Sequence, residues 1–381
     1  MRIAITGMSA MCALGQTKDE IWDNFISLNS GVKSNHRFQE KFFSEYNFGA
    51  MEEIDPAWSK GDVRNLLFNK LDECLRNAKL NVDEYQNNLA VSLGTSLLGT
   101  YEYMKFVESG KTKFDKCFLR TDTIKSIYEK YKAQKGVYIS NIACASGTSC
   151  FEIGLDLLRT GQAKYVICGG IDYLGKLSIC GFNALNSLSK EICRPFDSER
   201  KGINLGEGGA FFVLEEYNHA LDRGVEIYAE VVECLSANEA YHITTSEPGG
   251  NEIIKLIQTI FLHTGLSCND IDYINLHGTG TQNNDAIEKI VLNKIFNSSC
   301  KASSTKSLTG HCLGAAGAIE AYLLLLMMIN GKVVNTYNSN EDLLGEYKII
   351  DGDLKIKYAL SLSYAFSGNI ACLLLKNNNM R

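Results

Sequence analysis

Cys144 stands in the stretch ACASG, after an apolar run and ahead of a segment with helical spacing. A thiol placed there is a candidate nucleophile. The free N–H groups and positive dipole end of a helix favour a thiolate, and small neighbours permit a sharp turn that lifts the sulfur toward a substrate. The alternative is a buried structural cysteine, which is the natural reading for most of the 13 cysteines. Two histidines lie in Gly/Thr-rich stretches, His277 in LHGTGT and His311 in TKSLTGHCLGAAG, and neither sits on an apolar helical stripe. That setting suits side chains that handle protons or polar substrate atoms. His36, His219 and His263 have no comparable surroundings and are read as satisfied core histidines. Glu320 falls in an otherwise apolar segment and needs a partner, and Lys306, in a Ser/Thr-rich turn, is the nearest basic residue upstream. The alternative for Glu320 is a water-filled pocket or a subunit interface.

The elements that must position these residues follow an α/β pattern. VYISNI (137–142), YVICGGI (165–171), AFFVLEE (210–216) and IDYINL (271–276) read as strands alternating with helical segments, which implies buried, partly parallel sheets. Two strand-to-helix junctions resemble each other. VYISNI leads through ACASG into a helix ending at Gly161, and IDYINL leads through HGTGT into a helix opening at Asn284 or Asp285. A duplicated core is one reading of that likeness.

Composition bounds the class. The chain has 381 residues, ordinary apolar and charged fractions and a net charge of -6, so it lacks the basic face that nucleic acid or anionic membranes require. The irregular cysteine spacing contains no C-x-x-C pair, which argues against a zinc site or disulfide framework and for a reducing, cytoplasmic setting. MRIAITGMSAMCALG is interrupted by Thr6, Gly7 and Ser9 and reads as a strand entering a glycine turn, not a signal peptide. LGAAGAIEAYLLLLMMIN (313–330) nearly reaches spanning length, yet Glu320 and its cluster of small residues favour a buried soluble helix. With three prolines and no Ser/Gly/Pro tract, no flexible linker separates independent modules.

Taken together, ACASG around Cys144, HGTGT-x-x-ND around His277 and STKSLTGHCLGAAGAIE around Lys306 and His311 resemble, in order and spacing, the elongating β-ketoacyl-acyl-carrier-protein synthases of type II fatty-acid and polyketide synthesis. The resemblance extends through RPFDSERKGINLGEGGAFFVLEEY (194–217), NEAYHITTSEP (238–248) and SLSYAFSGNIACLLL (361–375). It implies a thiolase fold: two βαβαβαββ halves, expected at residues 1–230 and 231–381, in a five-layered α/β/α/β/α sandwich. It further implies that Cys144 accepts the acyl chain, with its own N–H and that of Phe366 as oxyanion hole. His277 and His311 would hold the malonyl thioester carbonyl, and Lys306 would orient the site through Glu320 and the His277 loop. Thr279 with Thr281, and Thr244 with Thr245, match positions that bond the phosphopantetheine arm, although turn capping is their ordinary role. Phe366 matches the gatekeeper phenylalanine. No metal or other cofactor is implied, since substrates arrive on the phosphopantetheine of acyl carrier protein. The implied assembly is a homodimer or a heterodimer with a homologous chain-length factor.

Two features depart from the family. Its gate usually reads GFGGTN, whereas residues 365–370 here read AFSGNI, and the lost glycines predict a stiffer loop. The chain is also shorter than typical members, most plainly over residues 101–135. Both departures suggest a specialised synthase, for example in an aryl polyene or polyketide pathway. The main rival is a non-condensing chain-length-factor-like subunit, which typically lacks the cysteine retained here. A thiolase or a priming synthase using acyl-CoA is a second rival, but priming synthases use Cys, His and Asn and no asparagine stands where His311 does, and a plain acyltransferase would not need both histidines.

Overall fold

The structure is a computed structural model. It describes the chain apart from residues 35–37, 39–41, 52–61, 98–99, 101–105, 108, 111–119, 341–342, 350–351, 379 and 381. His36 and much of the 101–135 stretch therefore lie outside the described residues.

The strands are β1 (Ile3–Cys12), β2 (Val32–Ser34), β3 (Asn47–Gly49), β4 (Leu89–Gly94), β5 (Val137–Ser140), β6 (Tyr165–Asp172), β7 (Gly208–Glu216), β8 (Ala229–Asn238), β9 (Tyr273–Asn275), β10 (Lys301–Ser303), β11 (Tyr358–Tyr364) and β12 (Asn369–Asn377). Among the described residues, ten of them form one hydrogen-bonded series, β10-β9-β11-β12-β8-β1-β7-β6-β4-β5, and β2 pairs with β3. The series repeats itself. Counting strands within each half, β1, β4, β5, β6, β7 and β8, β9, β10, β11, β12 both stand in the order first, fifth, fourth, second, third. The directions match as well: the first two contacts are antiparallel and the last two parallel in each half. Within the series, the two half-sheets are joined where Ile3, Ala4 and Ile5 pair with Val231, Glu230 and Ala229.

Each half reads βαβαβαββ, with helix Ser146–Arg159 following β5 and helix Ala316–Asn330 following β10. This corrects the equivalence suggested by the sequence. The junction after β5 corresponds to that after β10, whereas the junction after β9 corresponds to that after β4. Local strand–glycine–helix chemistry recurs wherever a parallel strand feeds a crossover helix, so it does not identify which crossover is which. A finer match supports the topological pairing. Ala143 and Leu313, each three residues before its helix, both take left-handed backbone with φ of 51° and 53°.

The layers follow from strand alternation. In β7, Phe212 and Leu214 face the central helices, while Phe211 and Val213 face an outer layer holding helices Asp62–Asn77 and Arg120–Tyr131. In β12, Leu373 and Leu375 face inward, and Cys372 and Leu374 face helices Asn251–Thr264 and Gln282–Ile295. The result is α/β/α/β/α with the two central helices buried between half-sheets. Helix Ala316–Asn330 is apolar all round because protein surrounds it, and its 313–330 window is 89% buried inside the fold. A Cβ on Gly317 would sit 1.9 Å from Thr148 Oγ1, and one on Gly147 would sit 2.8 Å from the Gly314 carbonyl. Glycine at those positions lets the two helix starts, and the residues just before them, approach closely.

Candidate active site

Helix Ser146–Arg159 begins at the end of β5, and the turn Ala143–Ala145 that precedes it carries Cys144. The matching turn, Leu313–Ala315, follows His311 and leads into helix Ala316–Asn330. The close approach of those helix starts brings His311 Nε2 to 2.9 Å from Cys144 Sγ. His277, on the loop after β9, stands beside His311 with ring centroids 5.4 Å apart and planes near perpendicular. All three side chains are buried.

Behind them lies Lys306, fully buried, with its ammonium on Glu320 Oε1, on the His277 carbonyl and, at 3.4 Å, on His277 Nδ1. An ammonium offers only donors, so Nδ1 must accept and the His277 proton sits on Nε2. Burial, the Lys306 charge and His311 hold the His277 pKa well below its usual value, and burial with Lys306 does the same for His311. Both imidazoles are neutral. Burial pushes the Cys144 thiol up to about 12, with Lys306 opposing the shift and Asp172 and Glu320 adding to it. The resting sulfur is therefore a thiol. The thiolate expected from the helix start is overridden because Cys144 is buried, and the cost of desolvating the anion exceeds the benefit of the dipole.

The sequence reading missed three carboxylates as site groups, naming Asp285 only as a helix opening. Glu288 accepts from the His277 and Gly278 N–H groups at 2.7 and 2.6 Å and from Asn284 Nδ2 at 2.9 Å, which fixes the loop that carries His277. Burial and neighbouring Asp285 push its carboxyl up to about 8, against the pull of Gly278 N–H and Lys306. Asp285 in turn accepts from Thr279 N, Gly280 N and Phe196 N. The helix holding these acids begins at Gln282 with Thr281 at the cap position, so Asp285 is not the cap but reaches back over the loop. Two acids three residues apart in the first turns of a helix behind a Gly-rich loop are the sequence signal that could have revealed them. Asp172, at the end of β6, accepts from Thr95 Oγ1, Ser96 N, Leu97 N and Gly314 N, tying β6 to the turn after His311. Burial raises it to about 6.

Cys144, His277 and His311 open onto a cavity of about 600 Å³ that Thr279, Thr281, Thr244, Thr245 and Phe366 also line, while Lys306 and Glu320 stay behind its wall. Thr279 and Thr281 share a hydroxyl hydrogen bond of 2.8 Å. The Phe366 ring stacks on Phe182 at 5.4 Å, and Phe182 meets His311 edge-on at 6.4 Å. Ser367 takes φ of 66° despite its Cβ, held by Ile243 O and by Asn238 Nδ2 on its own carbonyl. The gate loop thus reaches left-handed backbone without the family's glycine. His219 and His263 are not core residues: their side chains are 41% and 47% exposed, and each pairs with a buried glutamate, Glu215 or Glu233.

The fold and this constellation define a condensing-enzyme class, and family comparison agrees. Residues 1–220 match the N-terminal domain of β-ketoacyl synthase and residues 228–340 its C-terminal domain, so the chain belongs to the β-ketoacyl synthase family. It is 30% identical over 409 residues to 3-oxoacyl-[acyl-carrier-protein] synthase 2 of Staphylococcus aureus (strain MRSA252), covering 99% of this chain and 98% of that protein. Among solved structures, a β-ketoacyl synthase from Burkholderia phymatum STM815 superposes with a TM-score of 0.88 at 25% identity over 99% of both chains. The ketosynthase ApeO in complex with its chain length factor ApeC from Xenorhabdus doucetiae gives 0.84 at 25% identity, over 99% of this chain and 98% of that one.

Proposed function

We propose that the protein is a β-ketoacyl-acyl-carrier-protein synthase that joins a Cys144-bound acyl chain to malonyl-carrier protein with loss of carbon dioxide. The observation that carries this reading is the buried group of one thiol and two neutral imidazoles facing a single cavity, with His311 Nε2 2.9 Å from Cys144 Sγ.

In the first half-reaction, Cys144 Sγ attacks the acyl thioester. A new S–C bond forms, the carrier's S–C bond breaks, and the thiol proton passes through the contact with His311 Nε2 to the departing carrier thiolate. Burial keeps the thiol protonated, so its proton must leave as the sulfur attacks, and His311 Nε2 is the nearest group to take it, with solvent in the cavity as the slower route. Cys144 and Phe366 N–H groups would hold the oxyanion of the tetrahedral intermediate.

In the second half-reaction, the malonyl carboxylate leaves as carbon dioxide and its bonding electrons pass into the thioester enolate. The Nε2–H of neutral His277 would stabilise that oxygen where charge develops, and His311, having passed the thiol proton on, would add its own Nε2–H after its remaining proton moves from Nδ1 to Nε2. The enolate carbon then attacks the Cys144 thioester and expels the thiolate. Lys306 positions His277 and fixes its tautomer, and Glu320 offsets the buried ammonium charge. No metal or redox cofactor enters this scheme. Thr279, Thr281, Thr244 and Thr245 would bond the phosphopantetheine arm along the cavity wall.

A cytoplasmic enzyme pairing with a second copy or a chain-length-factor homolog, and serving a specialised polyketide or aryl polyene pathway, fits the retained cysteine and the altered gate. Division of labour between residues 1–230, with the nucleophile, and 231–381, with the histidines and gate, fits the duplication. Incubation with acyl- and malonyl-carrier proteins, following Cys144 acylation by mass spectrometry and carbon dioxide release, tests the reaction. Acylation without carbon dioxide would exclude condensation.

A further inference from the structure

His311 has to be held in place from outside the catalytic group, since among the described residues its Nδ1 has no hydrogen-bond partner and the ring makes its one polar contact through Nε2. Its backbone supplies the hold. His311 N–H donates to the Asn204 carbonyl at 2.7 Å, and Gly206 N–H donates to the His311 carbonyl at 2.9 Å. The extended segment 203–207 is therefore the rail on which His311 sits. Ile203 in that segment exchanges backbone hydrogen bonds with Ser187 and Ser189, and Ser187 lines the cavity.

We infer that Asn204 is a positioning residue for the condensation: its buried side chain locks the His311 rail to the turn 187–193 at the cavity rim. The amide is 1% exposed, and its orientation is set by its surroundings. Oδ1 accepts from Cys193 N–H at 2.6 Å, and Nδ2 faces the carbonyls of Glu191, Ser189 and Asn47 at 3.0, 3.1 and 3.2 Å. One N–H on one side and three carbonyls on the other admit only this flip state of the amide. A single side chain thus joins β3, the rim turn and the segment that carries His311. An apolar residue of equal size would keep the packing and leave those buried backbone groups without partners, so the rail and rim would separate at little change in volume. Asn204 touches neither substrate nor Cys144 and acts only through His311.

This inference rests on the role proposed above for His311, so the test uses a readout independent of turnover. In the full-length protein, the rate of iodoacetamide alkylation at Cys144 is measured by peptide mass spectrometry. It is taken beside thermal stability, Cys144 acylation and carbon dioxide release for wild type, Asn204→Val, Asn204→Ser and the control Asn47→Ala. Asn47 Nδ2 bonds the same turn at the Lys190 carbonyl and has no path to the His311 backbone through its side chain. Asn204→Val is expected to slow Cys144 alkylation at least threefold and to lower carbon dioxide release at least tenfold, well beyond its effect on acylation. Asn204→Ser, whose hydroxyl can still accept from Cys193 N–H, should show the same pattern more weakly and covers the case in which the valine variant folds poorly. Asn47→Ala should leave alkylation unchanged. Wild-type alkylation rates in both Asn204 variants, or equal slowing in Asn47→Ala, would overturn the inference. Absence of carbon dioxide release from wild type would overturn the condensing reaction instead and leave the alkylation comparison valid.

Discussion

Lys306 and His277 are joined twice: the Lys306 ammonium reaches both the backbone carbonyl and Nδ1 of His277, and its third proton goes to Glu320. One buried cation thus sets the position and tautomer of an imidazole that faces substrate space, and adds to the burial that keeps it neutral. Because all three donors are used and no water is needed, the group works as a unit in a low-dielectric interior, where each member depends on the others.

Removing the cation should therefore damage folding and chemistry separately. Lys306→Met leaves the Glu320 carboxyl buried without its partner, and a loss of about 3–5 kcal/mol in denaturant unfolding is expected. Lys306→Met/Glu320→Leu should recover most of that stability without recovering condensation, because His277 Nδ1 has lost the donor that fixes its tautomer. Condensation restored in the double variant would show that Lys306 acts only through stability.

His311→Ala separates the two half-reactions. Acylation of Cys144 should be retained and should fall less than carbon dioxide release, as the thiol finds a slower proton path through solvent. Carbon dioxide release should drop by about 10²–10³, the loss expected for one oxyanion-type donor. Equal losses in both steps would show that His311 serves only the thiol.

The two buried histidines also make an acid-side stability prediction. Both have folded pKa values well below 6.5, so below pH 6.5 the unfolded chain binds protons that the native state refuses. Stability from this source is fully present above pH 6.5 and is lost as pH falls, at up to about 1.4 kcal/mol per pH unit for each histidine. Asp172 and Glu288, raised to about 6 and 8, act oppositely, because their native carboxyls hold protons that the unfolded chain releases. The difference between wild type and His277→Leu isolates the histidine effect. Chemical denaturation from pH 8 to pH 5 should show wild type losing stability relative to the variant only below about pH 6.5.

Much of the site was legible in sequence because its chemistry is carried by residues whose local surroundings are unusual. Cys144, His277 and His311 sit in small-residue turns, and Glu320 stands out as one carboxylate in an apolar helix. Asp172 was not legible, since the Thr95 hydroxyl and the N–H groups of Ser96, Leu97 and Gly314 reach it only on folding, and Glu288 left only the trace of an acid three residues after Asp285 behind a Gly-rich loop. The thiolate expectation failed for a related reason: the helix start is visible in sequence, but the burial that outweighs it is not. The duplication was legible in outline and misassigned in detail, because β5 and β9 share a local pattern while equivalence is a matter of strand order. His219 and His263 were placed inward by default, and the structure gives them surface positions beside buried glutamates.

The two central helices start in close contact at Gly317 and Thr148. Gly317 opens the helix after His311, and its missing side chain is what lets that helix start lie against Thr148, four residues beyond Cys144. Gly317→Ala would place a methyl group 1.9 Å from Thr148 Oγ1 and 2.9 Å from Ser363 Oγ, clashes relieved by parting the two central helices or by moving both hydroxyls, which bond each other at 2.7 Å. Overpacking of this kind costs about 1–3 kcal/mol. Parting the helices would also lengthen the 2.9 Å reach from His311 to Cys144, so condensation should fall further than a Gly→Ala change in an exposed helix would allow. Thr148→Ala/Gly317→Ala removes the worst of these contacts, although Ser363 Oγ at 2.9 Å and Thr148 N at 3.0 Å remain close, and should restore stability and carbon dioxide release in part. A Gly317→Ala enzyme with wild-type unfolding and turnover would show that the central helices are not held at contact distance by that glycine.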